Sequence, residues 1–489
     1  MEFSFFDNLV EQLKYIPQEP MLFNSSFFLF FFFVVVVFNR IFINNRRAKV
    51  TFLMLMSIYF YYKSSGMYFY LVIISSLIDY FAGMHIAGTD DQKKKKFYLI
   101  LSLVTNLGLL GYFKYTYFIL DTFGVLGKPP FDALDIFLPV GISFFTFQSM
   151  SYTIDVYRGS LKPEKDFINF LFFVSFFPQL VAGPIVRASE FLPQIDQEPI
   201  ITKADIGRAM FLIIAGLLKK AVIADYISIN FVDRIFEFPA RYTGVENLLG
   251  LYAYGLQIYC DFSGYSDMAI GLALLMGYRL PDNFNAPYKA ATITEFWRRW
   301  HLTLSRWLKD YLYISLGGNR KGKWKTYRNL FLTMLLGGLW HGANWRFVLW
   351  GAYHGAFLAV ERLFKIPEKV EKNRIIHFFA IIVTYHLFLF SMIFFRSQSY
   401  ADAFAMINQI LFFFNPEVFM QWVSGYPTIV VLMIIGYVTH YTPTKFDNKI
   451  KDLLAASPMW VQALILAIAI WIVAQFKSTD IQPFIYFQF

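Results

Sequence analysis

The chain has 489 residues, of which 57% are hydrophobic, 20% are aromatic and only 16% are charged. Soluble domains carry about 25% charged residues, so this chain has too little polar surface to cover a water-facing globule. The same apolar content excludes a disordered chain, a collagen and a coiled coil. The composition therefore indicates an integral membrane protein that crosses the bilayer several times.

The charge balance is basic, with 44 lysines and arginines against 34 aspartates and glutamates and a formal net charge of +10. In a soluble protein this balance would suggest a nucleic-acid partner. Here the positive charges lie in short runs between apolar stretches, as they do in the cytoplasmic loops of membrane proteins. We therefore expect membrane lipid around the chain and no nucleic acid.

The residues present argue against a disulfide, a cleavable signal peptide and a metal site. Cys260 is the single cysteine, so neither an intramolecular disulfide nor a C-x-x-C metal site can form. Residues 1–20 contain Glu2, Asp7 and Glu11 instead of a basic segment, so we expect no cleavable signal peptide. The seven histidines form no H-E-x-x-H pattern, and no metal site is predicted.

The first apolar stretches orient the chain in the membrane. A spanning helix needs about 20 mostly apolar residues, and the first four candidates are residues 21–43, 50–62, 67–86 and 97–123, the last ending at a turn over residues 127–130. Basic clusters at 46–49 and 93–96 follow the first and third stretches. The positive-inside rule places both clusters in the cytoplasm and the N-terminus outside.

Later apolar stretches are shorter and are often interrupted by proline, glycine or aspartate. Broken helices persist at membrane depth only where protein or a water-filled cavity satisfies the backbone. We expect an all-α polytopic protein, a single domain over residues 1–489, with about eleven spanning helices plus re-entrant and interfacial helices. The later stretches are 134–152, 167–186, 209–229, 248–260, 268–276, 329–339, 345–363, 375–395, 428–438 and 460–476.

A polar segment over residues 279–328 interrupts this apolar pattern. Residues 292–310 predict one amphipathic helix of the kind that lies at a membrane interface. Thr292 and Glu295 have the spacing of a capping box, and Glu295 can pair with Arg299 one turn later. One face of this helix would carry Trp297, His301, Leu304 and Leu308.

Two histidines lie in or near this segment. His301, on the apolar face, is either an interface histidine packed among aromatic rings or a proton-handling residue facing a cavity. His341 follows Gly337 and Gly338 and precedes Gly342, and glycines allow another chain or a substrate to approach closely. A histidine at membrane depth favours a functional role, although a hydrogen-bonded histidine inside a bundle is the alternative.

A further polar break is predicted over residues 260–267, where one apolar stretch would be split into two halves. Asp261 would either cap the second half-helix or line the same cavity as the histidines. Ser266 is not a hydrolase nucleophile, because it lacks the G-x-S-x-G pattern.

Together these segments resemble the membrane-bound O-acyltransferase family, in its bacterial alginate O-acetylation (AlgI-type) branch. The motifs extend over about residues 140–360, and two small departures are Cys260 and Ser315. The matching stretches are GISFFTFQ at 141–148, SYTIDVYRG at 151–159, FPQLVAGPIVR at 177–187, YCDFSGYSD at 259–267, EFWRRWH at 295–301, YLYISLGG at 311–318, GLWHGA at 338–343 and WGAYHG at 350–355.

The resemblance implies an O-acyltransferase built as a helical bundle around a tunnel, with no bound cofactor. An acyl thioester such as acetyl-CoA would enter from the cytoplasm and the acceptor from the other side. The paired family histidines correspond to His301 and His341, of which His341 would be the general base or the central transfer residue and His301 would assist from the cytoplasmic side of the same tunnel. The residues expected to line the tunnel are Asp261, Ser263, Tyr265, Trp297 and Trp340.

Basic residues on the cytoplasmic face are candidates for the phosphates of coenzyme A. The alternative is that these charges only orient the chain by the positive-inside rule. The residues concerned are Arg298, Arg299, Arg306, Lys321 and Lys323.

Several functions stay open at this stage. The resemblance suggests a bacterial cytoplasmic-membrane enzyme that works with an SGNH hydrolase-like partner outside the membrane and acetylates a polysaccharide. Related branches acetylate peptidoglycan or move D-alanine from a carrier protein toward teichoic acid. A multi-span transporter and an assembly platform without chemistry are the alternatives from other classes.

Overall fold

The computed structural model describes residues 11–17, 19–125, 136–198, 200–476 and 484. All regular secondary structure in these ranges is helical, which confirms the all-α prediction. The chain forms two compact units, one of residues 1–206 with 269–281 and the other of residues 207–268 with 282–489. The single domain over residues 1–489 stays a prediction.

Nine α-helices with described bounds lie wholly in the first unit; a 3-10 turn, Gly66–Tyr68, joins the second to the third, and a π-helical turn, Gly111–Tyr115, joins the fourth to the fifth. The helices are α1 (Ser26–Ile41), α2 (Arg46–Ser65), α3 (Phe69–Ala87), α4 (Gln92–Leu110), α5 (Thr116–Thr122), α6 (Ile142–Tyr157), α7 (Phe167–Ser175), α8 (Phe177–Leu180) and α9 (Ala188–Ile195).

Polar groups join two of these apolar helices. Asp79 of α3 is fully buried, and its carboxylate accepts hydrogen bonds from Ser102 Oγ at 2.5 Å and from Asn106 Nδ2 at 2.8 Å. Lipid offers no hydrogen-bond partner, so interhelical bonds of this kind help to hold transmembrane helices together.

The second unit carries the motif-bearing segments from 259 onward. Helices α10 (Lys203–Leu217) and α13 (Gly244–Leu275) connect the two units along the chain. The other helices of the second unit are α11 (Asp225–Ile227), α12 (Asp233–Glu237), α14 (Ile293–Trp297), α15 (Leu302–Trp307), α16 (Lys323–His341), α17 (Trp345–Leu363), α18 (Ile366–Val370), α19 (Arg374–Arg396), α20 (Tyr400–Phe412), α21 (Val418–Gly425), α22 (Pro427–Tyr441), α23 (Thr444–Ala456) and α24 (Met459–Phe476). π-helical segments are Leu218–Ala224, Ser228–Val232 and Leu308–Tyr313.

Helices α16 and α17 form a tightly packed hairpin. A Cβ atom on Gly338 would lie 2.2 Å from the carbonyl oxygen of Phe347, and one on Gly351 would lie 2.4 Å from that of Met334. Real Cβ atoms do not approach backbone so closely, so both positions require glycine. This contact brings the end of α16, which carries His341, against the start of α17.

The polar break predicted over residues 260–267 is wrong, because α13 runs without interruption from Gly244 to Leu275. Gly264 in its middle serves close packing instead. A Cβ atom on Gly264 would lie 2.8 Å from the carbonyl oxygen of Gly216. Asp261 therefore lies inside a helix and cannot cap a half-helix.

The single helix predicted over residues 292–310 is also wrong. Helix α14 ends at Trp297, a turn follows, and α15 begins at Leu302. The Thr292 cap is present, since its side chain accepts a hydrogen bond from Glu295 N at 3.0 Å. The predicted pair of Glu295 and Arg299 is confirmed at 2.8 Å. His301 lies in the turn, so it does not share one helical face with Trp297 and the two leucines.

Four helical runs in the described residues are long and apolar enough to cross a membrane: Arg46–Ala87, Gln92–Thr122, Arg374–Arg396 and Met459–Phe476. The pair Val418–Gly425 and Pro427–Tyr441, bent by 91°, would make a fifth, and Phe27–Ile41 is a shorter apolar helix. The count of about eleven spans stays a prediction. The predicted turn at residues 127–130, the start of the stretch at 134 and Met1 lie outside the described residues.

The orientation can be tested at Lys94, which is exposed near the start of α4. The single native cysteine, Cys260, is buried, so Cys260→Ser gives a background without thiols. We expect Lys94→Cys in this background to react with a membrane-impermeant maleimide only after the cells are opened, because the positive-inside rule places residues 93–96 in the cytoplasm. Labelling from the outer face of intact cells would contradict the orientation.

Glu361 connects the end of α17 to the start of α14. Its buried carboxylate accepts hydrogen bonds from the backbone N–H groups of Ile293 at 2.6 Å and Thr294 at 2.8 Å, and from Thr294 Oγ1 at 2.7 Å. A carboxylate at a helix N-terminus satisfies donors that the helix cannot satisfy itself.

We expect Glu361→Ala to lower the unfolding temperature, because each donor left unpaired costs about 1–3 kcal/mol. Glu361→Gln, which keeps one acceptor oxygen, should cost less. Reaction of the buried Cys260 thiol with a fluorogenic maleimide during heating measures the transition. Glu371→Ala, at an exposed position of the same unit, is the matched control, and equal unfolding temperatures for the two alanine variants would refute the capping role.

Candidate active site

His301 lies in a left-handed turn that hydrogen bonds hold in place. Its backbone has φ +43°, a region that few residues other than glycine occupy, although histidine is among those enriched there. Leu302 N donates to Asn283 O at 2.9 Å, and Asn285 N donates to Arg299 O at 2.9 Å. These two hydrogen bonds join the segment before α14 to the turn after it and compensate for the strained backbone conformation of His301.

The His301 ring is completely buried. It packs edge-on against Phe262 of α13 with ring centroids 4.6 Å apart, and its centroid lies 6.2 Å from that of Trp340. The residue lies outside the helices that are long enough to cross the membrane, and burial lowers the pKa of its imidazole to about 3. The ring is therefore neutral at physiological pH.

His341 is the last residue of α16 and is also buried. Its ring centroid lies 5.1 Å from Trp340, 5.1 Å from Trp350 and 5.8 Å from Phe395. A Cβ atom on Gly342 would lie 2.1 Å from the Phe347 ring. The glycine after His341 therefore allows close packing within the chain itself, whereas the predicted use was close approach by another chain or a substrate.

The indole of Trp340 contacts both histidine rings. The two histidines predicted from the sequence are thus brought into one aromatic cluster, although 39 residues and a change of helix separate them. Trp297, predicted to line the tunnel, belongs to the same cluster, with its ring centroid 5.7 Å from that of Trp350.

A third buried histidine, His354, was not among the predicted site residues. Its ring lies 4.7 Å from Trp350 and 5.2 Å from Trp297, and its Nε2 lies 3.1 Å from Ser391 Oγ. The Ser391 hydroxyl donates to Phe388 O at 2.7 Å, so it accepts from His354. The one-turn spacing of Trp350 and His354 on α17 is the signal that could have found it.

Asp261 forms part of a buried charge cluster. Its Oδ1 lies 2.5 Å from Lys220 Nζ, which also lies 2.7 Å from Asp225 Oδ1. The preceding Lys219 pairs with Asp267 at 2.7 Å. The sequence analysis predicted Asp261 as a site residue but predicted no role for Lys219 or Lys220. Asp261 precedes Phe262, the ring that contacts His301, so the charge cluster and the histidine cluster meet on α13.

The two remaining predicted tunnel residues also lie on α13. Ser263 and Tyr265 are buried, and the Tyr265 ring lies 5.0 Å from that of Phe484. Phe484 also contacts Phe262 at 5.4 Å, so these side chains share the surroundings of His301.

The predicted donor-binding residues divide into two groups. Arg298, Arg306, Lys321 and Lys323 are exposed. Arg299 is only partly exposed and makes hydrogen bonds within the chain: its guanidinium donates to Glu295 Oε1 at 2.8 Å and to Asn285 O at 3.1 Å. Within the described ranges, no group of three or more histidine, cysteine or acidic side chains could hold a metal ion.

The chemistry available in the cluster is that of buried imidazoles among aromatic rings, of which the His301 ring is neutral. A neutral imidazole can accept a proton from a hydroxyl in a transition state. In a water-poor site the electrostatic interactions that stabilise the developing charges are stronger than in water.

Comparisons with known proteins agree with this chemistry. The MBOAT, membrane-bound O-acyltransferase family, matches residues 161–366. A protein of Pseudomonas putida named probable alginate O-acetylase AlgI is 38% identical over 439 residues, which cover 84% of this chain and 89% of the relative.

Two relatives with other names are also similar. The peptidoglycan O-acetyltransferase of Helicobacter pylori is 38% identical over 358 residues, 68% of each chain. The teichoic acid D-alanyltransferase of Bacillus subtilis is 31% identical over 278 residues, 53% of this chain and 69% of the relative. Given this coverage and identity, the chain belongs to the membrane-bound O-acyltransferase family and is an O-acyltransferase.

Proposed function

We propose that this O-acyltransferase takes an acetyl group from a cytoplasmic thioester, acetyl-CoA, and passes it across the membrane for O-acetylation of an extracytoplasmic polysaccharide. The observation that carries the proposal is the pair of buried histidines whose rings contact the same indole, Trp340. The choice of acetyl group and polysaccharide is supported by the relative in Pseudomonas putida, whose name is that of an alginate O-acetylase.

In the proposed reaction His341 is the general base. A nitrogen of the His341 imidazole takes the proton of the acceptor hydroxyl while the hydroxyl oxygen forms a bond to the thioester carbonyl carbon. The carbon–sulfur bond of the tetrahedral intermediate then breaks, and the proton passes to the departing thiolate. His301 assists from the cytoplasmic side of the same tunnel.

The exposed basic side chains are the proposed contacts for the donor. The phosphates of coenzyme A are multiply charged, and arginine and lysine form strong charge-assisted hydrogen bonds with them. Arg299 is held by Glu295 and by a backbone carbonyl, whereas Arg298, Arg306, Lys321 and Lys323 are candidates by the exposure of their side chains.

The acceptor would be reached through a partner on the outer side of the membrane. We propose an SGNH hydrolase-like protein that receives the acetyl group and passes it to the polysaccharide. The names of two relatives give alternative acceptors, peptidoglycan and, for D-alanine in place of acetate, teichoic acid. A donor screen that compares acetyl-CoA with an acylated carrier protein separates acetyl transfer from D-alanyl transfer.

We expect His341→Ala to abolish detectable acetyl transfer from radiolabelled acetyl-CoA in proteoliposomes, because loss of a general base typically costs about 10²–10⁴ in rate. His301→Ala should be severely impaired. The double variant should be little worse than His341→Ala, because residues that act as a unit are not additive.

His377→Ala is the matched control for these variants, since His377 is a partly exposed histidine of α19 in the same unit. It should retain the wild-type rate. Near-normal turnover of His341→Ala with acetyl-CoA would show that the proposed mechanism is wrong.

Asp261 is proposed to orient the site through α13 without acting as the base. Asp261→Asn should fold normally, because Lys220 keeps Asp225 as its partner, but it should lose much of the transfer activity. Full activity of Asp261→Asn would reduce the residue to a packing role.

Lys220→Met removes the cation that pairs with Asp225 and Asp261. It should lower the unfolding temperature strongly, because breaking a buried ion pair costs about 3–5 kcal/mol.

A further inference from the structure

The amide of Asn283 is buried between the His301 turn and α13. Its Oδ1 accepts hydrogen bonds from Thr303 N at 3.3 Å and from Thr303 Oγ1 at 2.9 Å, and its Nδ2 donates to Ser266 Oγ at 3.1 Å. A backbone N–H can only donate, so the amide atom that faces Thr303 is the oxygen. The flipped amide would place two donors against each other. The network therefore assigns the orientation of this side chain.

The same oxygen lies 3.1 Å from Nδ1 of His301. An amide oxygen has lone pairs and no hydrogen to give, so the contact is a hydrogen bond only if Nδ1 carries a proton. A neutral imidazole carries one N–H, and burial keeps the His301 ring neutral. The second nitrogen, Nε2, then holds the lone pair.

We propose that Asn283 is a positioning residue that keeps the proton of His301 on Nδ1 and so makes Nε2 the basic nitrogen. Only one tautomer of a histidine presents a lone pair on a given side of the ring, and the hydrogen bond made by the other nitrogen selects that tautomer. The consequence for catalysis rests on the proposed function, whereas the tautomer itself does not.

The tautomer can be measured without any assay of activity. We would label the protein with ¹⁵N-histidine, reconstitute it in lipid bilayers and record solid-state NMR spectra, with the signals of His301 assigned as those lost in His301→Gln. The expected result is a protonated Nδ1 and an unprotonated Nε2. A protonated Nε2 in the wild-type protein would overturn the proposal.

The kinetic test compares three variants. Asn283→Ala removes the acceptor, and we expect kcat to fall about 10–100-fold, by analogy with the loss of a hydrogen-bond partner that orients a metal-bound histidine, with little change in KM. Asn283→Asp keeps an oxygen toward His301 and Thr303 and should recover most of that loss. Thr303→Val removes one hydroxyl donor from the same oxygen but leaves the His301 contact, so it should change kcat far less than Asn283→Ala does.

These variants separate tautomer control from a purely structural role. If Thr303→Val loses as much activity as Asn283→Ala, Asn283 only holds the turn and the proposal fails. If the reactivity of Cys260 shows that Asn283→Ala does not fold, the NMR spectrum of Asn283→Asp is recorded in place of the kinetics of Asn283→Ala. The proposal then requires that His301 keep a protonated Nδ1 in Asn283→Asp. If the wild-type enzyme transfers nothing from acetyl-CoA, the proposed function fails while the NMR result still decides the tautomer.

Discussion

The hydrogen bonds between residues 283–285 and the turn at 299–303 are the constraint on which the candidate site depends. Without them the segment from Thr292 would continue as one amphipathic helix, as its periodicity predicts. The left-handed conformation at His301 costs about 1–3 kcal/mol, and the paired backbone groups and the Asn283 amide offset this cost. The turn directs the histidine into the aromatic cluster, and Glu361 fixes the helix before the turn to α17, which carries Trp350 and His354.

A second constraint is that charges inside a membrane protein must find partners within the chain. Asp261 and Asp267 are six residues apart on α13, so their side chains point in directions that differ by about 120°. The side chains of two consecutive residues in a regular helix differ in direction by about 100°. This is close to the angle between the two aspartates, so two consecutive lysines on one facing segment can reach both carboxylates. Lys219 and Lys220 do this from a π-helical segment, a form often found at functional sites. The close approach of Gly216 and Gly264 brings the two backbones near enough for these pairs.

The features that were predicted correctly depend on composition or on residues that lie close together in the chain. The Thr292 cap and the pair of Glu295 and Arg299 depend on short spacings, and the all-helical class follows from composition. The features that were missed depend on distant residues. The break at His301 is set by Asn283, 18 residues earlier, and the partner of Asp261 is 41 residues away. Residues 260–267 were predicted to break the helix, but Gly264 among them permits close packing within a continuous helix, and a single sequence does not distinguish these two uses of glycine.

The burial that assembles the site also restricts its chemistry. A pKa near 3 for the His301 imidazole means that an imidazolium there is costly, so in the proposed reaction His301 assists as a neutral ring and the proton of the acceptor hydroxyl goes to His341. The thioester then supplies the final proton acceptor, because a thiolate like that of cysteine, with a thiol pKa of about 8.5, is more basic than an ordinary imidazole, with a pKa of about 6.5. The proton would therefore pass from His341 to sulfur as the carbon–sulfur bond breaks. The fixed tautomer of His301 has a separate advantage, since a ring that already presents its lone pair on Nε2 need not reorient to accept a hydrogen bond during the transfer.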